Sequence, residues 1–121
     1  MVPIFELAIS DAAVRLALGN NPTRFYTFGE AQQNVRTPYA VWQLVSGLPE
    51  NKLAGTPDED TFSVQIDSYA DTAAQARTSA VALRGALEPH GYVVSYNGET
   101  RETDTRLFRY SFSMDLMVGR I

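Results

Sequence analysis

The stretch that decides the fold is residues 60–91, DTFSVQIDSYADTAAQARTSAVALRGALEPHG, in which the period of the apolar residues changes half-way. In Phe62–Ala70 apolar and polar residues alternate, and this two-residue period predicts a strand with one buried face. After Asp71 the apolar residues recur every three or four positions, which predicts a helix with one buried stripe. The stripe consists of Ala73, Ala76, Ala80, Leu83 and Leu87.

Both ends of this helix carry signals in the sequence. Thr72 followed by Gln75 is a capping-box pattern, with Asp71 as the competing N-cap. Pro89 and Gly91 are expected to end the helix, because proline cannot continue it and glycine accepts a left-handed C-cap. Because the stripe is mostly alanine, we expect the helix to lie close to the sheet that it covers.

Helical and strand patterns also precede this stretch. Pro3–Leu18 predicts a helical region with a break, and the aromatic run Arg24–Phe28 predicts a short strand. Tyr39–Val45 is apolar on both sides, which predicts an inner strand or a strand whose second face contacts a partner. Ser46–Thr61 is predicted to be a long connection, and connections above about 12–15 residues in compact domains are usually functional or disordered.

Two strands are predicted after the helix. Tyr92–Tyr96 is a short strand followed by a turn signal at Asn97 and Gly98, and Leu107–Val118 is a long alternating run with one dry face. The order helix, strand, strand, strand, helix, strand, strand predicts the α+β class. We therefore expect a single domain over residues 1–121, with a mostly antiparallel, mixed sheet and helices packed on one face.

The composition narrows the classes of function. The chain has no cysteine, which removes disulfides, thiolate zinc sites and a cysteine nucleophile together. Fourteen acidic against ten basic side chains give a net charge of −4, whereas proteins that bind nucleic acid through its phosphates usually present a basic face. No window approaches the roughly 18 apolar residues of a membrane span, so none is expected.

No pattern of catalytic or metal-binding residues stands out. His90 is the only histidine, and its place at the end of the predicted helix favours a capping role over a catalytic one. The acidic run 58–60 lacks the spacing of a calcium loop and is interpreted as a solvated segment. Glu99, Glu102 and Asp104 alternate with arginines, which is typical of a hydrated hairpin. The sequence therefore predicts no catalytic residue, no metal site and no cofactor, and favours a binding or structural protein over an enzyme.

Several short motifs follow one another over nearly the whole chain. Arg24–Tyr26 comes after the helical region, and residues 37–42 then read TPYAVW. Residues 46–49 read SGLP, and 62–70 read FSVQIDSYA and continue directly into the alanine-rich helix. In this order and spacing the chain resembles the tail-completion or tail-terminator family of long-tailed bacteriophages and prophages.

The resemblance implies a structural virion protein without catalytic residues or cofactors. Members of that family form a ring, commonly a hexamer, at the head-proximal end of the tail tube, where the ring ends tube polymerisation and docks onto the neck. The implied partners are other copies of the chain, the major tail tube protein and the stopper protein of the neck. DNA passes through the channel without specific binding, and no membrane is involved. The implied location is the neck region of the virion tail, and the host cytoplasm during assembly.

A ring of identical subunits needs contacts between two different surfaces of each subunit. The two-sided strand Tyr39–Val45 and the apolar residues of the connection Ser46–Asp60 are candidate contact surfaces, because exposed apolar groups usually mark contact sites. Asp67, on the polar side of its strand, is a further candidate. The predicted interface residues are Tyr39, Trp42, Leu48, Pro49, Leu53 and Asp67.

Two other interpretations of the residues stay open. One is a monomeric binding module with a ferredoxin-like sheet, and the other is a small enzyme with a carboxylate site on the last hairpin. Size-exclusion chromatography with light scattering separates a hexameric ring from both of these alternatives.

Overall fold

The computed structural model describes residues 4–20, 22–31, 35–49 and 59–119, and only the backbone is described at 46–49, 59–60 and 118–119. Two short helices and three strands come first: α1 (Ile4–Ile9), α2 (Ala12–Leu18), β1 (Phe25–Thr27), β2 (Tyr39–Pro49) and β3 (Glu59–Ala70). The long helix and the last two strands follow: α3 (Ala73–Leu87), a 3-10 turn (Glu88–His90), β4 (Gly91–Arg101) and β5 (Phe108–Gly119). No helix in this described part is long and apolar enough to cross a membrane.

The five strands form one mixed sheet in the order β1-β2-β3-β5-β4. β1 runs parallel to β2, and the other three neighbouring pairs are antiparallel. β3 lies at the centre and pairs with β5 from Glu59↔Gly119 to Ala70↔Phe108. The predicted α+β class is confirmed, and β2 is the inner strand that its two-sided apolar pattern indicated. Two antiparallel hairpins joined through α3 are not the β-α-β-β-α-β order of a ferredoxin-like sheet.

The helices lie on one face of the sheet, as the sequence predicted. α3 packs on β3 and β5, and α1 and α2 pack on α3. Thr72 is the N-cap of α3, where its side chain accepts a hydrogen bond of 3.1 Å from the backbone N–H of Gln75. The core between the two layers is formed by side chains that are at most 1% exposed, among them Val64, Ile66, Leu83, Leu87, Phe112, Met114 and Leu116. Burying each of the larger ones contributes about 1.5–3 kcal/mol, so this layer contact holds the fold together.

The connection between β2 and β3 is shorter than predicted. The two strands stay paired as far as Pro49↔Asp60, so residues 46–49 and 59–61 belong to strands and the connection is 50–58. Gly47, Pro49 and the acidic residues suggested a loop, but pairing across the sheet outweighs these local preferences.

The predicted turn at Asn97 and Gly98 is wrong. Both residues lie inside β4, where the register with β5 shifts between Tyr96 and Gly98, and Gly98 has a φ of 117°. A β-bulge uses a glycine in this conformation as readily as a hairpin turn does. The hairpin turns instead at Glu102–Leu107, where the N–H of Glu102 donates to the carbonyl of Leu107 at 2.9 Å.

The role predicted for Gly91 is also wrong. Its φ of 175° is extended, so it is not a left-handed cap, and α3 ends in the 3-10 turn instead. A Cβ atom at Gly91 would overlap the carbonyl oxygen of Asp115 on β5. Glycine is therefore required here by the close approach of two backbones.

Candidate assembly surfaces

The helices leave one face of the sheet uncovered, which we call the open face. Ser63 and Asp115 lie side by side there, and the Ser63 hydroxyl donates to the Asp115 carboxylate at 2.6 Å. From β4, the Asn97 amide donates to the hydroxyls of Ser111 and Ser113 at 3.3 and 3.0 Å. These polar groups satisfy one another, so the centre of the open face is a hydrogen-bonded polar surface.

An ion pair and a group of tyrosines occupy the rest of the open face. The carboxylate of Asp67 lies 3.3 Å from the guanidinium of Arg109 and accepts a hydrogen bond of 3.2 Å from Gln65. The rings of Tyr39 and Tyr69 are stacked, with their centroids 5.0 Å apart. Burial, followed by the negative charge of Asp67, raises the pKa of Tyr69 to about 12.

Large exposed apolar side chains gather at the two ends of the strand order. One group consists of Phe28, Leu44 and Val45, which are 68%, 50% and 51% exposed, and we call it the β2 edge. The other group consists of Val81, Tyr92, Val94 and Tyr96, which are 48–57% exposed, and we call it the β4 edge. Among the described residues, the two other exposed large apolar side chains are Leu16 on α2 and Met117 on β5. Each copy therefore carries two apolar surfaces, at opposite ends of one sheet.

A groove runs beside the β4 edge, because α3 lies over β3 and β5 and leaves β4 largely uncovered. This α3–β4 groove has a volume of about 450 Å³, and Val81 and Tyr96 are among its lining residues. Arg77 and Glu99 bridge it with a two-point ion pair, in which Arg77 Nη2 lies 3.0 Å from Glu99 Oε2. The hydrogen bond from Arg77 lowers the pKa of the Glu99 carboxyl. Arg84 donates to the Tyr96 hydroxyl at 2.9 Å, which fixes that ring at the mouth of the groove.

Residues 2–119 match the family described as Tail completion protein gp17. This chain belongs to that family. A chain in the structure titled "Virion of native gene transfer agent (GTA) particle" has the same fold, with a TM-score of 0.65 and 15% identity, over 96% of this chain and 91% of that one. No curated protein matches the sequence.

Family membership confirms the resemblance that the motifs predicted. As a member of this family, the chain is a structural protein of the phage tail. The family description points to a structural role and not to an enzyme. In the described ranges, 4–20, 22–31, 35–49 and 59–119, no group of three or more His, Asp or Glu side chains is placed to hold a metal ion.

Three of the predicted interface residues of the tail completion chain have described side chains. Tyr39 and Asp67 share the open face, near Tyr69. Trp42 lies on the opposite side of β2, where it packs against the core beneath the helices. The structure therefore separates Trp42 from the other two, and Asp67 already has an ion-pair partner in Arg109.

The other predicted interface residues belong to the connection and its flanks. Leu48 and Pro49 are in β2, where only the backbone is described, and Leu53 lies outside the described residues. The prediction that the connection is an assembly surface now concerns residues 50–58, and it stays a prediction.

The sequence patterns do not predict the β4 edge. The strand Tyr92–Tyr96 is predicted to end at the Asn97–Gly98 turn signal, whereas β4 continues to Arg101 at the edge of the sheet. Two signals were available: residues 92–94 are apolar on both sides of the strand, and Val81 is apolar but lies off the buried stripe of α3.

In the Tyr69→Phe variant, the free energy of unfolding is expected to fall less at alkaline pH than it does in the wild type. The folded chain holds the Tyr69 proton up to a pKa of about 12, whereas the unfolded chain loses it near the ordinary value of 10. Because the pKa of Tyr69 is higher in the folded chain than in the unfolded chain, its contribution to the free energy of unfolding is complete below pH 10. That contribution is lost as the pH rises through about 12. Urea unfolding at several pH values over this window measures the slope. Tyr92→Phe controls for removal of an exposed hydroxyl, and an unchanged slope in Tyr69→Phe would contradict the assignment.

Proposed function

We propose that this chain forms a closed ring of six copies at the head-proximal end of the phage tail tube, where it ends tube polymerisation and joins the tail to the neck. Its partners are then further copies of itself, the major tail tube protein and the stopper protein of the neck. The ring assembles in the host cytoplasm, and DNA passes through its channel without specific binding.

The observation that carries this proposal is the position of the two apolar edges. They lie at opposite ends of one sheet, so a two-fold dimer through either edge leaves the other exposed in both copies. Head-to-tail contacts cover both edges in every copy, and such contacts close into a ring when the rotation between copies allows it. The ring that the resemblance to the tail-completion or tail-terminator family implies favours closure over an open filament.

The charges of the chain support passage of DNA without binding. The net charge is −4, and on the open face the carboxylate of Asp115 accepts a hydrogen bond from Ser63 while Arg109 is already paired with Asp67. A ring with this charge repels phosphates, so DNA moves through it without forming ion pairs.

Mixing the chain with polymerising tail tube protein tests the function. We expect electron micrographs to show a ring at one end of each tube and tubes that stop growing, and light scattering to give a mass of six copies for the ring. Val81→Glu places a charge on the β4 edge and is expected to remove capping, whereas Leu16→Glu, an exposed leucine on α2, is expected to retain it. A wild-type chain that stays monomeric with tail tube protein and leaves the tubes uncapped would favour the monomeric binding module instead.

A further inference from the structure

We propose that the turn 27–30 of one copy enters the α3–β4 groove of the next copy, where Phe28 packs against Tyr96 and Glu30 pairs with Arg84. This inference rests on the proposed ring and identifies a contact between its successive copies. The occupant of the groove is thus a second copy of this chain, bound through one aromatic side chain and one ion pair.

Phe28 lies at the tip of a tight, hydrogen-bonded turn. The N–H of Glu30 donates to the carbonyl of Thr27 at 2.9 Å, and Gly29 has a φ of 81°, as the third residue of a type II turn does. Phe28 is the second residue of this turn and is 68% exposed. An aromatic side chain on a backbone that is already fixed loses little freedom on binding, so Phe28 has the properties of an interface anchor.

The α3–β4 groove offers an aromatic site for this anchor. The rings of Tyr96 and Tyr110 both line the groove and meet edge-on, with their centroids 6.3 Å apart, and Val81 lines it from α3. Tyr96 is 57% exposed and Val81 is 50% exposed in the single copy. Because aromatic rings favour edge-to-face and offset contacts, a phenylalanine entering the groove covers apolar surface on both copies.

The charges of the turn and of the groove are complementary. Among the described residues, the carboxylate of Glu30 has no hydrogen-bond or ion-pair partner. Arg84 donates to the Tyr96 hydroxyl at the mouth of the groove, and its Nε lies 3.9 Å from Glu88, which is beyond hydrogen-bond distance. Arg84 therefore keeps donors for a second carboxylate, and a carboxylate meeting an arginine favours this pairing of unlike surfaces.

The strand register places the turn and the groove at the same level of the sheet, on opposite sides of it. The N–H of Phe28 donates to the carbonyl of Trp42 at 2.8 Å, and from Trp42 the register crosses the sheet through Ile66 and Phe112 to Tyr96. Copies in a closed ring are related by rotation alone. When the strands run along the ring axis, Phe28 of one copy therefore faces Tyr96 of the next without any shift along that axis.

Cysteine cross-linking tests the contact, and the chain is suited to it because it has no cysteine of its own. Chains carrying Glu30→Cys and chains carrying Val81→Cys, both of which retain Phe28, are mixed, assembled with tail tube protein and treated with a short bis-maleimide. We expect the mixture to give at least about ten times more cross-linked dimer than either variant alone, because a head-to-tail contact joins unlike sites. Leu16→Cys mixed with Val81→Cys is the control and is expected to give little product.

Exchanging the two charges tests the ion pair. Glu30→Arg and Arg84→Glu are each expected to reduce the yield of rings at least about tenfold, because each change brings like charges together. A chain carrying both changes is expected to give several times more rings than either single variant, since the pair is restored in the opposite sense. Circular dichroism and the melting curve of the single copy check the fold. A folded double variant that recovers no rings would contradict the pairing of Glu30 with Arg84.

Replacing the anchor gives an independent readout. Phe28→Ser is expected to reduce the yield of rings at least about tenfold, as removal of an aromatic anchor does. The melting curve of the single copy is expected to stay close to wild type, because the side chain is already exposed. Leu16→Ser is the matched control, since Leu16 is still more exposed and lies on α2. Normal ring yield in Phe28→Ser, or an equal loss in Leu16→Ser, would contradict the contact.

The outcomes of the cross-linking experiment separate this inference from the proposed function. Rings that form but show no preference for the cross-link between positions 30 and 81 would overturn the contact and leave the ring intact. Arg84→Glu rings that form normally but no longer bind tubes would assign the groove to tail tube protein and would also overturn it. A wild-type chain that forms no ring with tail tube protein would overturn the proposed function and this contact together.

Discussion

Leu83→Ala is expected to lower the free energy of unfolding by about 2–5 kcal/mol, because it removes buried methyl groups and leaves a cavity. Leu83 is 0% exposed and lies on the stripe of α3 that covers β3 and β5. Phe112, 1% exposed on β5 below that helix, is expected to show a similar loss on replacement by alanine.

Leu16→Ala is the matched control for Leu83→Ala. It is the same exchange at a leucine that is 89% exposed, and surface substitutions of this kind usually change stability by about 0.5 kcal/mol or less. Urea unfolding of the three variants measures the differences. Similar midpoints for Leu83→Ala and Leu16→Ala would show that the buried face of α3 is wrongly assigned.

Gly91→Ala is expected to destabilise the domain by about 1–3 kcal/mol or more, the range for forcing additional atoms into a packed site. The added Cβ meets the backbone carbonyl of Asp115, which cannot move aside as a flexible side chain would. β4 and β5 must therefore separate at the start of their pairing.

Gly85→Ala is the same glycine-to-alanine exchange, but it is expected to have the opposite effect on stability. A Cβ at Gly85 meets no atom within 4 Å, and the residue lies inside α3. Alanine there is expected to stabilise the domain by about 0.5–1 kcal/mol, because it reduces the freedom of the unfolded chain. Thermal unfolding of both variants measures the two shifts. A stable Gly91→Ala variant would contradict the close approach of the two strands.

The segment from Phe62 to Leu87 was predictable because its signals are local and agree with one another. The period of two, the cap at Thr72 and the stripe that includes Leu83 all lie within a few residues of the contacts that they describe. The long alternation of β5 was predictable for the same reason. The lengths of β2 and β3 were not, because the pair Pro49↔Asp60 is decided by the sheet as a whole and not by the residues around it.

The assembly surfaces were harder to predict than the fold. Nothing local distinguishes the two apolar sides of β2, so the sequence could not tell that Trp42 faces the core while Tyr39 lies on the open face. The edge position of β4 is likewise a property of strand order. The tail family, by contrast, was predicted from motifs spread over nearly the whole chain, and residues 2–119 match its family model.

The strand register gives the sheet two chemically different ends. Pro49↔Asp60 and Glu59↔Gly119 place Pro49, Glu59 and Gly119 at one end, whereas Arg101↔Phe108 places the charged turn 102–107 at the other. An annulus of copies that share one orientation has two unlike rims, one bearing every Pro49, Glu59 and Gly119 and the other bearing every charged turn. Gold particles attached to a cysteine at Gly119 or at Thr103 would mark opposite rims, so micrographs of finished virions would show which rim faces the capsid.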